Sequence, residues 1–195
     1  MIGLLIGRAE NTGGELAAQP GPVDVGFSQD MAVHHLQAVD MGNLARDRGA
    51  DDKIRNLGFD IAATQQGQVG RMQGWLTLWN KPEQALGELM SWLPPEHDHG
   101  GSAPAEPGDA AMPGMATSAE MAKLASLSGE KFDVYFLQLM LRHHEGGAPM
   151  AEYAAEHAKV PAVRSLARSM VTSQGAEMEL MRNMLAARGA KPLPF

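Results

Sequence analysis

Two histidine pairs, each flanked by methionines at helical spacing, are the residues of this chain best equipped for chemistry. Met31, His34, His35 and Met41 read Met-x-x-His-His-x5-Met, and Met140, His143, His144 and Met150 repeat that pattern at a constant offset of 109 residues. On a helix, steps of three and four return to the same side, so Met31, His34, Ala38 and Met41 share a stripe with His35 at its border. Ala38 and its counterpart Gly147 are small and leave room beside each pair. Neutral imidazole ligates copper, zinc, nickel and iron, whereas thioether sulfur selects soft Cu(I) or Ag(I). A mixed His/Met set without thiolates or a carboxylate cluster therefore points to copper, with silver as its soft analogue.

The bland alternative is that such methionines are core and such histidines merely satisfied border residues. The repeat argues against it. Residues 24–76 and 133–185 match without a gap: Phe27 with Phe136, Ala45 with Ala154, Arg55 with Arg164, Leu57 with Leu166, Met72 with Met181 and Leu76 with Leu185. A duplication kept for packing alone has little reason to keep two adjacent histidines. Gln65 and its counterpart Gln174, with Glu177 one turn on, fall on or near the inward face of the following helices and are suited to hold imidazole N–H groups. A Gly/Pro-rich stretch between the copies carries His97, His99, Met112 and Met115, a tract able to collect soft metal weakly. His157 has no counterpart in the first copy and reads as a surface residue.

The elements that must position these side chains are helices. Apolar residues at 3–4 spacing predict helices over residues 23–48, 51–79, 130–157 and 161–188, with short ones over 83–92 and 118–127. Pro161 suits a first helical turn, and Pro149 is expected to kink or break the third long helix. No run alternates as a strand does. The expectation is an all-α fold, a ferritin-like four-helix bundle of two helical hairpins joined by a long flexible crossover. Residues 1–22 form an N-terminal segment, 23–93 the first hairpin repeat, 94–117 the Gly/Pro/His/Met-rich linker and 118–195 the second hairpin repeat, in one bundle domain overall.

Composition narrows the function. A formal net charge of −7 over 195 residues offers no basic patch for nucleic acid. There is no cysteine, so disulfides, thiolate catalysis and Cys-based zinc sites are excluded. A di-iron centre needs inward Glu-x-x-His pairs on helices, and the one Glu-x-x-His here, Glu96 to His99, lies in the linker. No nucleophile–base–acid set can be assigned, and no catalytic residue is expected. The first residues, Met-Ile-Gly-Leu-Leu-Ile-Gly-Arg, are too few to span a membrane but read as the end of a signal anchor before a polar linker. That favours an extracytoplasmic protein, tethered at its N-terminus or released.

Phe132 to Gly146 reads Phe-Asp-x2-Phe-x3-Met-x2-His-His-Glu-Gly, followed by Ala148, Met150 and Gln174-x2-Glu177. With these residues the chain resembles the domain of unknown function 305 family, over about residues 24–185. The resemblance implies a ferritin-like four-helix bundle, often exported, in a group that takes in CopM-like copper-binding proteins. It implies metal positions at Met31, His34, His35, Met41, Met140, His143, His144 and Met150. This chain departs from the pattern at Pro149 and at Leu36, which stands where the second copy has Glu145. The expected function is copper buffering, transfer or tolerance, with another copper-handling protein as a partner. The rival expectations are a non-metal interaction module and, less favoured, a di-metal redox enzyme.

Overall fold

The structure, a computed structural model, describes residues 19–94 and 110–194. Among them the chain forms five α-helices and no strand: α1 (Pro22–Arg48), α2 (Asp52–Leu78), α3 (Ser118–Ser126), α4 (Gly129–His157) and α5 (Pro161–Ala187). Local chemistry sets the starts. Pro22 and Pro161 stand in the first helical turn, where a missing N–H costs nothing. The Asp51 carboxylate accepts from the Lys53 N–H at 2.9 Å, and Thr117 and Glu120 cap α3 reciprocally. The four long helices are the expected bundle, and α3 is the short helix that precedes its second hairpin.

The hairpins α1–α2 and α4–α5 lock into each other by a reciprocal contact. The buried Asp24 carboxylate of α1 accepts from the Lys159 and Val160 N–H groups in the α4–α5 turn, at 3.1 and 2.8 Å. The Asp133 carboxylate of α4 accepts from Ala50 and Asp51 in the α1–α2 turn, at 2.9 and 3.0 Å. Each turn is also gripped from within. Arg55 donates to the Gly49 and Ala50 carbonyls, and Arg164 donates to those of Ala158 and Lys159. Contacts in which one copy does to the other what the other does to it define a pseudo-two-fold axis.

The core falls into two apolar halves with a polar waist. One half holds Met41, Ile54, Phe136, Leu139, Met140 and Leu185; the other holds Phe27, Met31, Val69, Met150, Val163 and Met170. On every long helix the residues between the halves are polar: His34 and His35 on α1, Gln65 and Gln68 on α2, His143 and His144 on α4, Gln174 and Glu177 on α5. All but Glu177 are buried. A polar layer sealed between hydrocarbon is costly to assemble unless its groups are paired.

Two sequence expectations are corrected, those for residues 83–92 and for the linker. Residues 83–92 form turns instead of a helix, because Asp30 holds them: its Oδ2 accepts from the Met90 N–H at 2.7 Å and the Trp92 indole at 2.8 Å. Of the two outcomes expected at Pro149, a break does not occur, since α4 is continuous through it. The linker does not stay clear of the bundle along its whole length. Its last part, residues 110–117, lies across α1 and α4 with Met112, Met115 and Ala116 buried. Most of the N-terminal segment, residues 1–18, and the linker residues 95–109 with His97 and His99 lie outside the described residues. No described helix is long and apolar enough to cross a membrane.

Candidate metal centre

The waist brings all four histidines together. His34 and His143, related by the repeat, stack across the α1–α4 contact with ring centroids 3.8 Å apart and planes inclined by 39°. His35 and His144 flank them, at 6.5 and 6.2 Å from their own neighbours. None of the four rings is more than 1% exposed. Gly147 makes the stack possible, since a Cβ there would meet His34 Cε1 at 2.9 Å.

Each ring is fixed through the same atom. His34 Nε2 lies 3.3 Å from the Pro113 carbonyl, and His143 Nε2 lies 3.1 Å from the His34 carbonyl. His35 Nε2 is 2.7 Å from Gln68 Oε1, and His144 Nε2 is 2.6 Å from the Glu177 carboxylate. Oxygens of these kinds only accept, so Nε2 carries a hydrogen in all four rings. Burial holds the His34 imidazole down at about 4 and, aided by the charge of His34, the His35 imidazole at about 3. Burial also pushes His143 well below its usual range, with the other three rings adding to the shift. At neutral pH His34, His35 and His143 are therefore uncharged, and with Nε2 protonated their Nδ1 atoms carry no hydrogen.

The Nδ1 atoms of His34, His35 and His144 are buried without a hydrogen-bond partner, as are both amide atoms of Gln65. Buried polar atoms are almost always paired, so five orphans in one layer mark a place built to meet something polar. A cation is the natural match for the unprotonated Nδ1 atoms of His34 and His35, and the amide oxygen of Gln65 is a further donor. The donor set fits a borderline metal held by imidazole. No group of three or more His, Asp or Glu side chains converges on one point among the described residues, so the rings must turn to share an ion.

The thioethers are placed differently. Met31 and Met150 lie in one apolar half, Met41 and Met140 in the other, and none is more than 1% exposed. The sulfurs thus bracket the histidine layer from above and below within hydrocarbon. Of the other expected residues, Gln65 and Gln174 are buried in the layer, and Glu177 holds His144 with its side chain 22% exposed. Met112 and Met115 pack into the same half as Met31. His157 is exposed against Tyr153, as expected of a surface residue.

Sequence reasoning missed the covering of the site. Both amide atoms of Gln37 grip Ala116: Nε2 donates to its carbonyl at 2.8 Å and Oε1 accepts from its N–H at 2.7 Å. Arg142 donates to both Glu120 oxygens at 2.9 and 2.6 Å and orders the turn into α3. One signal was readable: adjacent glycines, Gly146 and Gly147, inside a helix, where each weakens the helix unless a neighbour needs the space.

The comparisons with known proteins agree with this architecture. The family model of a domain of unknown function, DUF305, matches residues 24–185. The chain belongs to the DUF305 family. A candidate secreted DUF305 protein from Streptomyces coelicolor is similar at 44% identity, over 89% of this chain and 98% of that one, with a TM-score of 0.78. A DUF305 fragment from Deinococcus radiodurans is 32% identical over 86% of this chain and 98% of that one, with a TM-score of 0.68. CopM in its Cu(I)-bound form shares the fold at 22% identity, over 84% of this chain and 96% of that one, with a TM-score of 0.63. CopM has also been solved in Cu(II)-bound and Ag-bound forms. No curated protein sequence matches this DUF305 chain.

Proposed function

We propose that this DUF305 protein is an extracytoplasmic copper-binding bundle that buffers or hands on copper, and so contributes to copper tolerance. The observation that carries the reading is the buried layer of four histidines, each with Nε2 committed to an oxygen and three with a buried Nδ1 left without a partner. His34, His35, His143 and His144 supply nitrogen. Met31, Met41, Met140 and Met150, one turn or two away on the same helices, supply sulfur when the ion is Cu(I) or its analogue Ag(I). Glu177 orients the His144 ring, and Gln65 and Gln174 stand in the layer as further polar neighbours. The same fold in CopM, solved with Cu(I), Cu(II) and Ag, supports the choice of metal, and the candidate secreted neighbour supports the location.

Replacing His34, His35, His143 and His144 together by alanine is expected to abolish tight copper uptake, read as metal per protein after gel filtration, while circular dichroism keeps its helical signal. Unchanged stoichiometry in that variant ends the assignment. A second reading, a polar layer that only fixes the register of the hairpins, draws on the lack of a converged three-donor group among the described residues. It predicts no preference for copper over zinc, which a paired titration under reducing and oxidising conditions decides.

A further inference from the structure

The segment over the histidine layer is seated too specifically to be a passing loop. The Pro113 carbonyl occupies the space of a missing side chain: a Cβ at Gly146 would meet it at 2.2 Å. Gly114 follows with φ of +77°, where a Cβ would lie 2.4 Å from the Arg142 carbonyl oxygen. Gln37 holds Ala116 by both amide atoms, and Met112 and Met115 are buried. The far end is pinned, since Thr117 caps α3 and Glu120 pairs with Arg142. A cleft of about 230 Å³, lined by Ala110, Gly114, Met115, Thr117, Glu120 and Arg142, runs beside the segment.

This seat has one consequence for the site. The Pro113 carbonyl is the partner of His34 Nε2, where its repeat mate His143 uses the carbonyl of His34. Docked, the segment holds the His34 ring over Gly147 and tilted against His143 at close range, an arrangement that turns no three donors to one point among the described residues.

We infer that residues 110–117 are a gate over the histidine layer, which holds His34 in the closed stack when docked and frees it to turn toward a soft or borderline cation when it lifts about its α3 end. The inference rests on the reading of the layer as a cation site and adds its access route and its two states. Docking and cation capture then compete, and each weakens the other by the same factor.

Two variants test the gate without touching the histidines. Gln37→Ala removes the latch, and Gly146→Ala fills the seat of the Pro113 carbonyl. In the copper-free protein, carbethoxylation of His34 by diethyl pyrocarbonate, located by tandem mass spectrometry, is expected to run about tenfold faster in both variants than in the parent. Equal His34 labelling in variants that melt like the parent overturns the gate; if Gly146→Ala does not fold, Gln37→Ala decides alone. In a second arm the parent is loaded with Cu(I) and followed by hydrogen exchange. Faster exchange at the amides of Met112, Gly114, Met115 and Ala116 supports the gate, and a loaded protein whose strap exchanges at the copper-free rate overturns it. A parent that takes up no copper sinks the functional reading instead, and the labelling arm still settles whether the strap governs access.

Discussion

The two copies of the hairpin agree where they hold the bundle together, and at the waist they share their histidines but differ in what holds them. Asp24 and Asp133 clamp each other's turns, Arg55 and Arg164 grip the same pair of carbonyls, and Phe27 and Phe136 fill equivalent places in the two halves of the core. At the waist the histidine pairs and Gln65 with Gln174 still match, but the residues that hold the rings do not. Gln68 holds His35 where the charged Glu177 holds His144, and the strap's latch, Gln37, is the repeat mate of its seat, Gly146. A fully symmetric layer would offer two equal sites. Here the scaffold is duplicated while access and charge are divided between the copies, which is how one layer acquires a closed side and an anionic side.

Acid should weaken the layer. An imidazole with its folded value held down to about 4 or 3 stays neutral in the native state while the unfolded chain takes up protons from about 6.5 downwards. The unfolded state therefore binds more protons in that window, and stability falls as pH falls. The contribution of each ring is intact above pH 6.5 and lost progressively toward pH 4 for His34 and pH 3 for His35. By pH 5 the loss is about 2 kcal/mol per ring. Urea denaturation at pH 7 and pH 5 measures it, and His34→Gln with His35→Gln should remove most of the difference. Equal stability at both pH values would mean that the waist is wet.

Next in size are the clamps. Asp24→Ala and Asp133→Ala each strand two turn N–H groups facing a buried carboxylate's place, a loss of about 3 kcal/mol apiece. Asp24 should cost slightly more, because it also accepts from Gly21 at 2.8 Å. The comparison predicts near equality by urea denaturation. A loss confined to one copy would show that the pseudo-symmetry of the contacts is not a symmetry of energies.

Much of this frame was legible in the sequence. The 109-residue register announced a pseudo-dyad, and 3–4 periodicity located all four long helices. The histidines were found because helical spacing puts Met31, His34 and Met41 on one stripe. The same spacing could not say that the sulfurs sit a layer above and below the nitrogens, since a stripe fixes direction and leaves height along the axis to the partner helix. The clamps were hidden for a related reason. Asp24 reads locally as a helix-start residue, and its hold on Val160 exists only once the copies pack. The strap was least visible, because Gly, Pro and Ala around Pro113 rule out a regular element without revealing that the chain docks.

The smallest effect isolates the charge difference. In Glu177→Gln the amide oxygen can still accept the His144 N–H, as Gln68 does for His35, so stability should change by under about 1 kcal/mol. What disappears is a negative charge at the rim of the layer, and its attraction for a cation is weakened by solvent because the Glu177 side chain is 22% exposed. Affinity for Cu(I), read by competition with a chromogenic chelator, should fall about tenfold. Gln68→Glu should raise it, by less because that position is more buried and a new carboxylate there is dearer to ionise. Putting both changes into one chain exchanges the anionic side between the copies while leaving the strap where it is. If that double variant binds like the parent, only the number of charges at the layer matters. If it binds more weakly than Gln68→Glu alone gains, the ion is held nearer His144, and the two copies are unequal as ligands as well as in access.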